Sequence, residues 1–192
     1  MTVLLLRHSL TEGNLHKRYI GRTDEPLCTA GIQRIGELRL PPEYRNAPLY
    51  SSPMQRCLQT ARLLFDREPA PVEDFRECDF GLFENRNHAE LDGDPRYQSW
   101  VDSNGALPFP GGESKEGFSA RCCTAFEGLL RGTKEEHLAV IVHGGTIMAV
   151  MERFARPERA FYEWWVDNGC GYICQASIGE TLTLLPERKL EI

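Results

Sequence analysis

Apolar runs and polar stretches alternate along this chain so that short strands fall between helices. Val3-Leu4-Leu5-Leu6 and Leu138-Ala139-Val140-Ile141-Val142 are unbroken apolar runs of strand length. Such runs mark strands buried on both faces of a parallel sheet. Leu49-Tyr50-Ser51 and residues 70–74 read as shorter strands. Thr29 as an N-cap predicts a helix to about Leu40, stopped by Pro41-Pro42. Ser52 as N-cap, Pro53 at the first helical position and Gln55 three after the cap predict a second helix. Its apolar positions are Met54, Leu58, Ala61 and Leu64/Phe65. Phe118, Cys122, Ala125/Phe126 and Leu129 stripe a long helix over about 114–131, and a further helix is expected from about Thr146 to Ala155. Gly171–Gln175 and Glu180–Leu185 alternate around Ile178-Gly179, which predicts a terminal antiparallel pair.

Strands alternating with helices predict an α/β class fold, a three-layer α/β/α sandwich around a mainly parallel central sheet. No linker divides the chain, so residues 1–192 are expected as a single domain. Residues 85–112, polar and punctuated by Gly and Pro, read as a small cap with one short helix. The loop 7–28 is also polar. An apolar fraction of 41% and a charged fraction of 26% fit a globular protein. The net charge of −6 argues against nucleic acid as a general partner. No stretch has the length of a membrane span, and no basic region precedes an early apolar segment, so a cytoplasmic location is expected. The seven cysteines form no Cys-x-x-Cys pair, so they are expected as small buried hydrophobes; neither a metal site nor a cofactor is expected.

The candidate chemistry lies at strand ends. Arg7-His8 directly follows the first apolar run and His143-Gly144-Gly145 directly follows the other. Ligands of open α/β sheets bind beyond these carboxyl ends. Arg56 falls in the first turn of the predicted Ser52 helix, and helical side chains lean toward the N-terminus. Two arginines, two histidines and two helix N-termini make a pocket for a dianion, most simply a phosphoryl group. His8 as nucleophile, Arg7, Arg56 and His143 as charge stabilisers, and Glu77 as proton donor to the leaving group form a complete set.

Arg7-His8-Ser9-Leu10-Thr11-Glu12-Gly13-Asn14 resembles the Arg-His-Gly-Glu-Thr/Ser-x-x-Asn signature of the histidine phosphatases. That superfamily includes cofactor-dependent phosphoglycerate mutase and α-ribazole phosphatase. Gly21–Gly31, Ser51–Ala61, Glu77–Asn85, Pro110–Ser114 and Val142–Gly145 are similar to its further motifs, in order. The resemblance implies a phosphoglycerate mutase-like fold and a metal-independent phosphomonoester hydrolase working through phosphohistidine at His8. It implies catalytic roles for His8, Glu77, His143, Arg7 and Arg56. It also implies substrate contacts from Arg7, Asn14, Gly21, Arg56, Glu77, His143 and the Gly144 N–H. The α-ribazole phosphatase branch is most similar, which makes α-ribazole 5′-phosphate a candidate among small-molecule phosphate esters and places the chain in cobalamin biosynthesis.

Departures from the pattern raise competing readings. Ser9 replaces the usual Gly, and adds strain if that position needs φ > 0. Leu10 replaces an acid, Asn85 replaces a Gly at a position where a left-handed residue is tolerable, and Ile20 replaces a Thr common in the mutases. Mutase-type phosphoryl transfer is the alternative enzyme, and a catalytically weak phosphate-binding module the alternative of another class. Cys28 and Arg34 fit the Cys-x5-Arg spacing of cysteine phosphatases, but Asp24-Glu25-Pro26-Leu27 precedes the Cys where that mechanism needs an apolar strand. His16, His88 and His137 read as solvated loop residues, with His88 a candidate substrate contact from the cap. Cys78 beside Glu77 is a candidate redox control. Phe161, Trp164 and Trp165 are candidates for a homodimer contact or for covering the sheet edge.

Overall fold

The two long apolar runs are neighbours at the centre of a six-stranded sheet. The computed structural model describes residues 1–192. β1 (Thr2–Arg7), β2 (Leu49–Ser51), β3 (Ala70–Pro71), β4 (His137–Val142), β5 (Gly171–Ile178) and β6 (Leu182–Leu190) lie in the order β3-β2-β4-β1-β5-β6. β1, β2, β3 and β4 are parallel, while β5 and β6 run antiparallel at one side. The mainly parallel sandwich is as expected.

Alternation along the central strands feeds two cores. Val3, Leu5, Leu138, Val140 and Val142 face α6 (Lys115–Gly132) and α7 (Gly144–Phe154). Leu4, Leu6, Ala139 and Ile141 face α2 (Thr29–Glu37) and α3 (Gln55–Phe65). Each of these strand residues is 0% exposed, so truncating one to alanine leaves a cavity and costs about 2–5 kcal/mol for a Leu or Ile.

Several boundaries differ from the sequence expectation for identifiable reasons. α2 is capped by Cys28, whose sulfur accepts from the Gly31 N–H, and Leu38 is already extended as the chain turns toward Pro41. α3 begins at Gln55, not at Pro53; the Ser52 hydroxyl bonds His143 Nε2 at 2.8 Å and accepts only a long bond, 3.4 Å, from the Met54 N–H. Its first N–H is capped from a distance instead, Gln55 N–H donating to Asp24 Oδ1 at 2.6 Å. α7 begins at Gly144, with His143 as its extended N-cap, so Gly144 and Gly145 are its first turn and not a lead-in. The 70–74 strand shrinks to two residues. The cap holds two helices, α4 (His88–Leu91) closed by an Asn87/Glu90 capping box and α5 (Pro95–Asp102) started by Asp94-Pro95. The 7–28 loop contains one short helix, α1 (Glu12–Leu15). No helix is long and apolar enough to cross a membrane.

Candidate active site

The parallel pairing of β1 with β4 sets Arg7 beside Val142, and the His8 N–H donates to the Val142 carbonyl at 2.9 Å. His8 and His143 therefore emerge side by side, ring centroids 5.2 Å apart and inclined by 68°. Both are buried, and burial pushes both well below the ordinary histidine pKa of 6.5, with the charge of Arg56 the next cause. A neutral His8 has one N–H. Its Nδ1 lies 2.7 Å from the Ser9 carbonyl, which can only accept, so Nδ1 carries the proton and Nε2 keeps its lone pair.

Ser9 is not strained. It is absent from the residues with positive φ, its N–H donates to Thr60 Oγ1 (3.0 Å) and its hydroxyl to the Gly31 carbonyl (2.7 Å). Asn85 does adopt the left-handed conformation, at φ 61°.

Arg7 lines the cavity. Its Nη1 donates to the Val166 carbonyl at 2.8 Å, its guanidinium stacks 4.6 Å from the Trp165 ring centroid, and its buried Nε–H has no protein acceptor. An orphaned buried donor of this kind requires an explanation, and an anion in the adjoining cavity supplies one. Asn14 also lines the cavity. Its Oδ1 accepts from Thr11 N–H (3.2 Å) and Asn168 Nδ2 (3.0 Å), so its own amide N–H groups are left for a ligand.

Glu77 sits against the first turn of α7, its carboxylate accepting from the N–H groups of Cys78 (2.9 Å) and Gly145. Loss of hydration nevertheless raises its pKa above the usual 4.5 and outweighs those bonds and the two arginines. A Cβ on Gly145 would stand 2.5 Å from Glu77 Oε1 and 3.0 Å from the Phe118 ring. Gly145→Ala is therefore expected to displace this carboxylate and lower kcat about tenfold or more, with some loss of thermal stability because the buried Phe118 ring must also shift.

Arg56 and His143 lie one layer beneath. Arg56 Nε–H donates to His143 Nδ1 (3.4 Å), Nη1 to the Thr23 carbonyl (2.8 Å), and Nη2 to the carbonyls of Ile20 (3.3 Å) and Gly21 (3.1 Å). His143 Nε2 then meets Ser52 Oγ at 2.8 Å. Both residues belong to the cluster as expected, but as a polar floor under His8 and not as part of the cavity wall. Gly21 does not line the cavity either. Its N–H is taken by Glu84 Oε1 (2.9 Å), and a Cβ there would lie 2.0 Å from the Cys78 carbonyl, so a packing role replaces the expected substrate contact. The Gly144 backbone reaches the wall beside Arg7.

Other sequence candidates fall elsewhere. Cys28 caps α2, while Arg34 Nε donates to the Asn168 carbonyl at 2.9 Å; the pair forms no phosphate loop. His88 and His16 are exposed and away from the cavity, and His137 is a β4 residue bonded to Thr2 Oγ1 at 2.7 Å, not a loop residue. Cys78 is largely buried at the cavity wall, and burial, followed by the Glu77 charge, raises its pKa, which disfavours the reactive thiolate. Phe161 and Trp164 are buried, Trp164 meeting Tyr172 of β5 at 5.7 Å, while Phe161, Tyr162 and Trp165 line the cavity, so this segment both covers the antiparallel side of the sheet and builds the site. No three His, Cys, Asp or Glu side chains converge as metal ligands.

Three positioning residues escaped the sequence reading. Asn168 Nδ2 lies within reach of the His8 (3.2 Å) and Ser9 (3.4 Å) carbonyls as well as Asn14. Thr60 holds the Ser9 N–H while donating to the Arg56 carbonyl at 2.7 Å. Arg121 pairs with both Glu113 oxygens and donates to the backbone carbonyls of Asp74, Arg76 and Glu77, which fixes the Glu77 loop. Asn168-Gly169 after an apolar segment was the one visible signal, that of a turn.

Such a frame is that of an α/β enzyme that receives an anionic group at the carboxyl edge of its sheet. The chain belongs to the histidine phosphatase superfamily (branch 1), whose family model matches residues 3–183, and is an enzyme of that phosphatase type. It is 28% identical over 178 residues to the adenosylcobalamin/alpha-ribazole phosphatase of Escherichia coli (strain K12), covering 88% of this chain and 87% of that protein. It is 30% identical over 172 residues to a 2,3-bisphosphoglycerate-dependent phosphoglycerate mutase of Rhizobium etli, covering 81% and 80%. The crystal structure of the alpha-ribazole phosphatase from Shigella flexneri superposes with a TM-score of 0.80 at 25% identity, over 99% of this chain and 96% of that one. The fold is phosphoglycerate mutase-like.

Proposed function

We propose that the protein hydrolyses a small phosphomonoester without a metal, through a phosphohistidine at His8. The observation that carries this reading is the state of His8, neutral, with Nδ1–H fixed on the Ser9 carbonyl and Nε2 left as a nucleophile beside the unused Arg7 Nε–H. Attack by Nε2 forms an N–P bond and breaks the P–O bond to the leaving alcohol. Glu77, whose pKa burial raises, gives that oxygen its proton and then, as carboxylate, takes one from the water that cleaves the N–P bond. Arg7, the Asn14 amide and the Gly144 N–H at the start of α7 hold the phosphoryl oxygens. Arg56 and His143 support His8 from below, and the Arg56 charge helps keep it neutral. These fixed donors do the work of charge stabilisation, so EDTA is expected to leave turnover unchanged.

Among candidate esters, α-ribazole 5′-phosphate is the first to test, supported by the names of the Escherichia coli and Shigella flexneri neighbours. The test is a phosphatase screen over a metabolite panel, without added metal, that includes this ester. Conversion of 3-phosphoglycerate dependent on a bisphosphate primer, with no net phosphate release from any ester, would replace the reading with mutase chemistry.

The pH profile follows from the two shifts. His8 must be neutral, so kcat/KM rises with pH only through a pKa well under 6.5. Glu77 must be protonated, so the rate falls as pH climbs past its pKa, which lies above 4.5. The profile is expected to be a bell whose acid limb belongs to His8 and whose alkaline limb belongs to Glu77, and Glu77→Gln is expected to lose the alkaline limb. A rate that keeps climbing from neutral to alkaline pH in the parent would contradict these assignments.

A further inference from the structure

The cavity above His8 encloses about 690 Å³, far more than a phosphoryl group fills, and half of its 24 lining residues are hydrophobic. Arg7, His8, Asn14 and Glu77 lie at the phosphoryl end, while Lys17, Arg18 and Lys115 also line the cavity, Lys115 Nζ standing 4.2 Å from the Phe161 ring centroid and 6.0 Å from that of Tyr162. The other end is walled by aromatic rings from three separate segments. Trp100 of α5 and Phe109 stack at 4.9 Å and 30°, Phe80 meets Phe109 edge-on at 5.0 Å, and Tyr19 meets Phe80 at 5.3 Å. Across from them stand Tyr162 and Trp165, which remain 55% and 51% exposed although both line the concave wall.

The two walls meet overhead. Gly105, buried and at φ 73°, lies where a Cβ would come within 2.9 Å of Tyr162 Oη and 3.3 Å of Trp100. Only a residue without a side chain lets the end of the cap close on Tyr162 here. At this point the aromatic end narrows to a slot, with Tyr162 and Trp165 still half exposed at its mouth. Its rim cations are largely committed, Lys115 to Glu152 at 3.3 Å and Arg18 to Glu90 at 2.6 Å, with Lys17 at the exposed edge. A leaving group bearing its own carboxylate would meet only Lys17 unpaired, at the exposed edge, and one bearing an ammonium would lose hydration beside Lys17, Arg18 and Lys115. A flat apolar ring would gain both burial and edge or stacked contact.

We infer that this slot selects phosphomonoesters whose leaving alcohol carries a planar aromatic or heteroaromatic ring, with Trp100 and Tyr162 as specificity-determining residues. The inference rests on the phosphomonoesterase reading and adds to it the recognition of the alcohol half. Three alkyl esters with leaving groups of similar basicity test it: 2-phenylethyl, 2-cyclohexylethyl and n-propyl phosphate. The expected kcat/KM for the phenylethyl ester is about tenfold or more above the propyl ester and clearly above the cyclohexyl ester. Trp100→Ala and, separately, Tyr162→Ala are expected to shrink the phenyl-to-propyl ratio several-fold. Tyr162 is half exposed, so its variant keeps the test alive if Trp100→Ala does not fold.

Equal kcat/KM for the three esters, or a ratio that neither folded variant moves, would overturn the inference. Cyclohexyl and phenyl esters turning over equally well would also overturn it, since the slot would then read apolar bulk and not a ring. Binding of 2-phenylethylphosphonate against n-propylphosphonate, followed by tryptophan fluorescence, separates this claim from the hydrolysis itself. Preferential binding of the phenyl compound is expected even if no ester is hydrolysed, in which case the catalytic reading fails and the slot stands; equal affinities would defeat the slot.

Discussion

His8→Ala is expected to lower kcat by about 10⁴-fold or more while Cys28→Ser stays within about twofold of the parent. The first substitution removes the atom that forms the bond to phosphorus, and no neighbour can replace it. His143 Nε2 is occupied by Ser52 Oγ and its Nδ1 faces Arg56, so the second histidine has no free lone pair at the cavity. Cys28 caps α2 and its thiol is buried, which makes it a structural residue only. His8 is itself buried, so circular dichroism and a denaturation curve should accompany the assay and show a folded variant. Equal phosphatase rates in parent and folded His8→Ala would remove the histidine from the mechanism.

Glu77→Gln is expected to cost about 10²- to 10⁴-fold in kcat on an alkyl ester, the usual range for loss of a general acid. The loss should shrink strongly on p-nitrophenyl phosphate, whose leaving group departs without a proton. Such a split distinguishes a proton donor from a residue that merely packs. Gln retains the acceptor for the Cys78 and Gly145 N–H groups, so the α7 N-terminus keeps its local bonds. An equal loss on both esters would point to displaced substrate and not to missing proton transfer.

The central strands and the paired histidines were legible because burial on both faces leaves an unbroken apolar run, and because a parallel sheet brings its carboxyl ends together. The edge was harder to read. β6 continues through Pro186-Glu187-Arg188-Lys189, a run that looks like loop because an edge strand faces water and tolerates proline at an irregular register, here opposite Cys174. The start of α3 was misplaced because Ser52 has the residue type of a cap, yet its hydroxyl bonds His143 and accepts only a long bond, 3.4 Å, from the Met54 N–H. Arg121 and Asn168 position the Glu77 loop and the Arg7–Ser9 backbone from 44 and 160 residues away, distances at which spacing rules carry no information. The substrate contact expected of Gly21 failed for a related reason, since its close approach is to the Cys78 carbonyl and not to a ligand. The aromatic wall was divided among the 7–28 loop, the cap and a dimer or sheet-edge segment, because its rings come from segments that only the fold assembles.

The most direct test is a rapid-quench experiment with a ³²P-labelled ester. A phosphoenzyme that forms within the first turnover, survives alkali, is lost in acid and maps to His8 is the predicted result. A kinetically competent enzyme that turns over without any such species, or that carries the label on another residue, would contradict the covalent histidine mechanism.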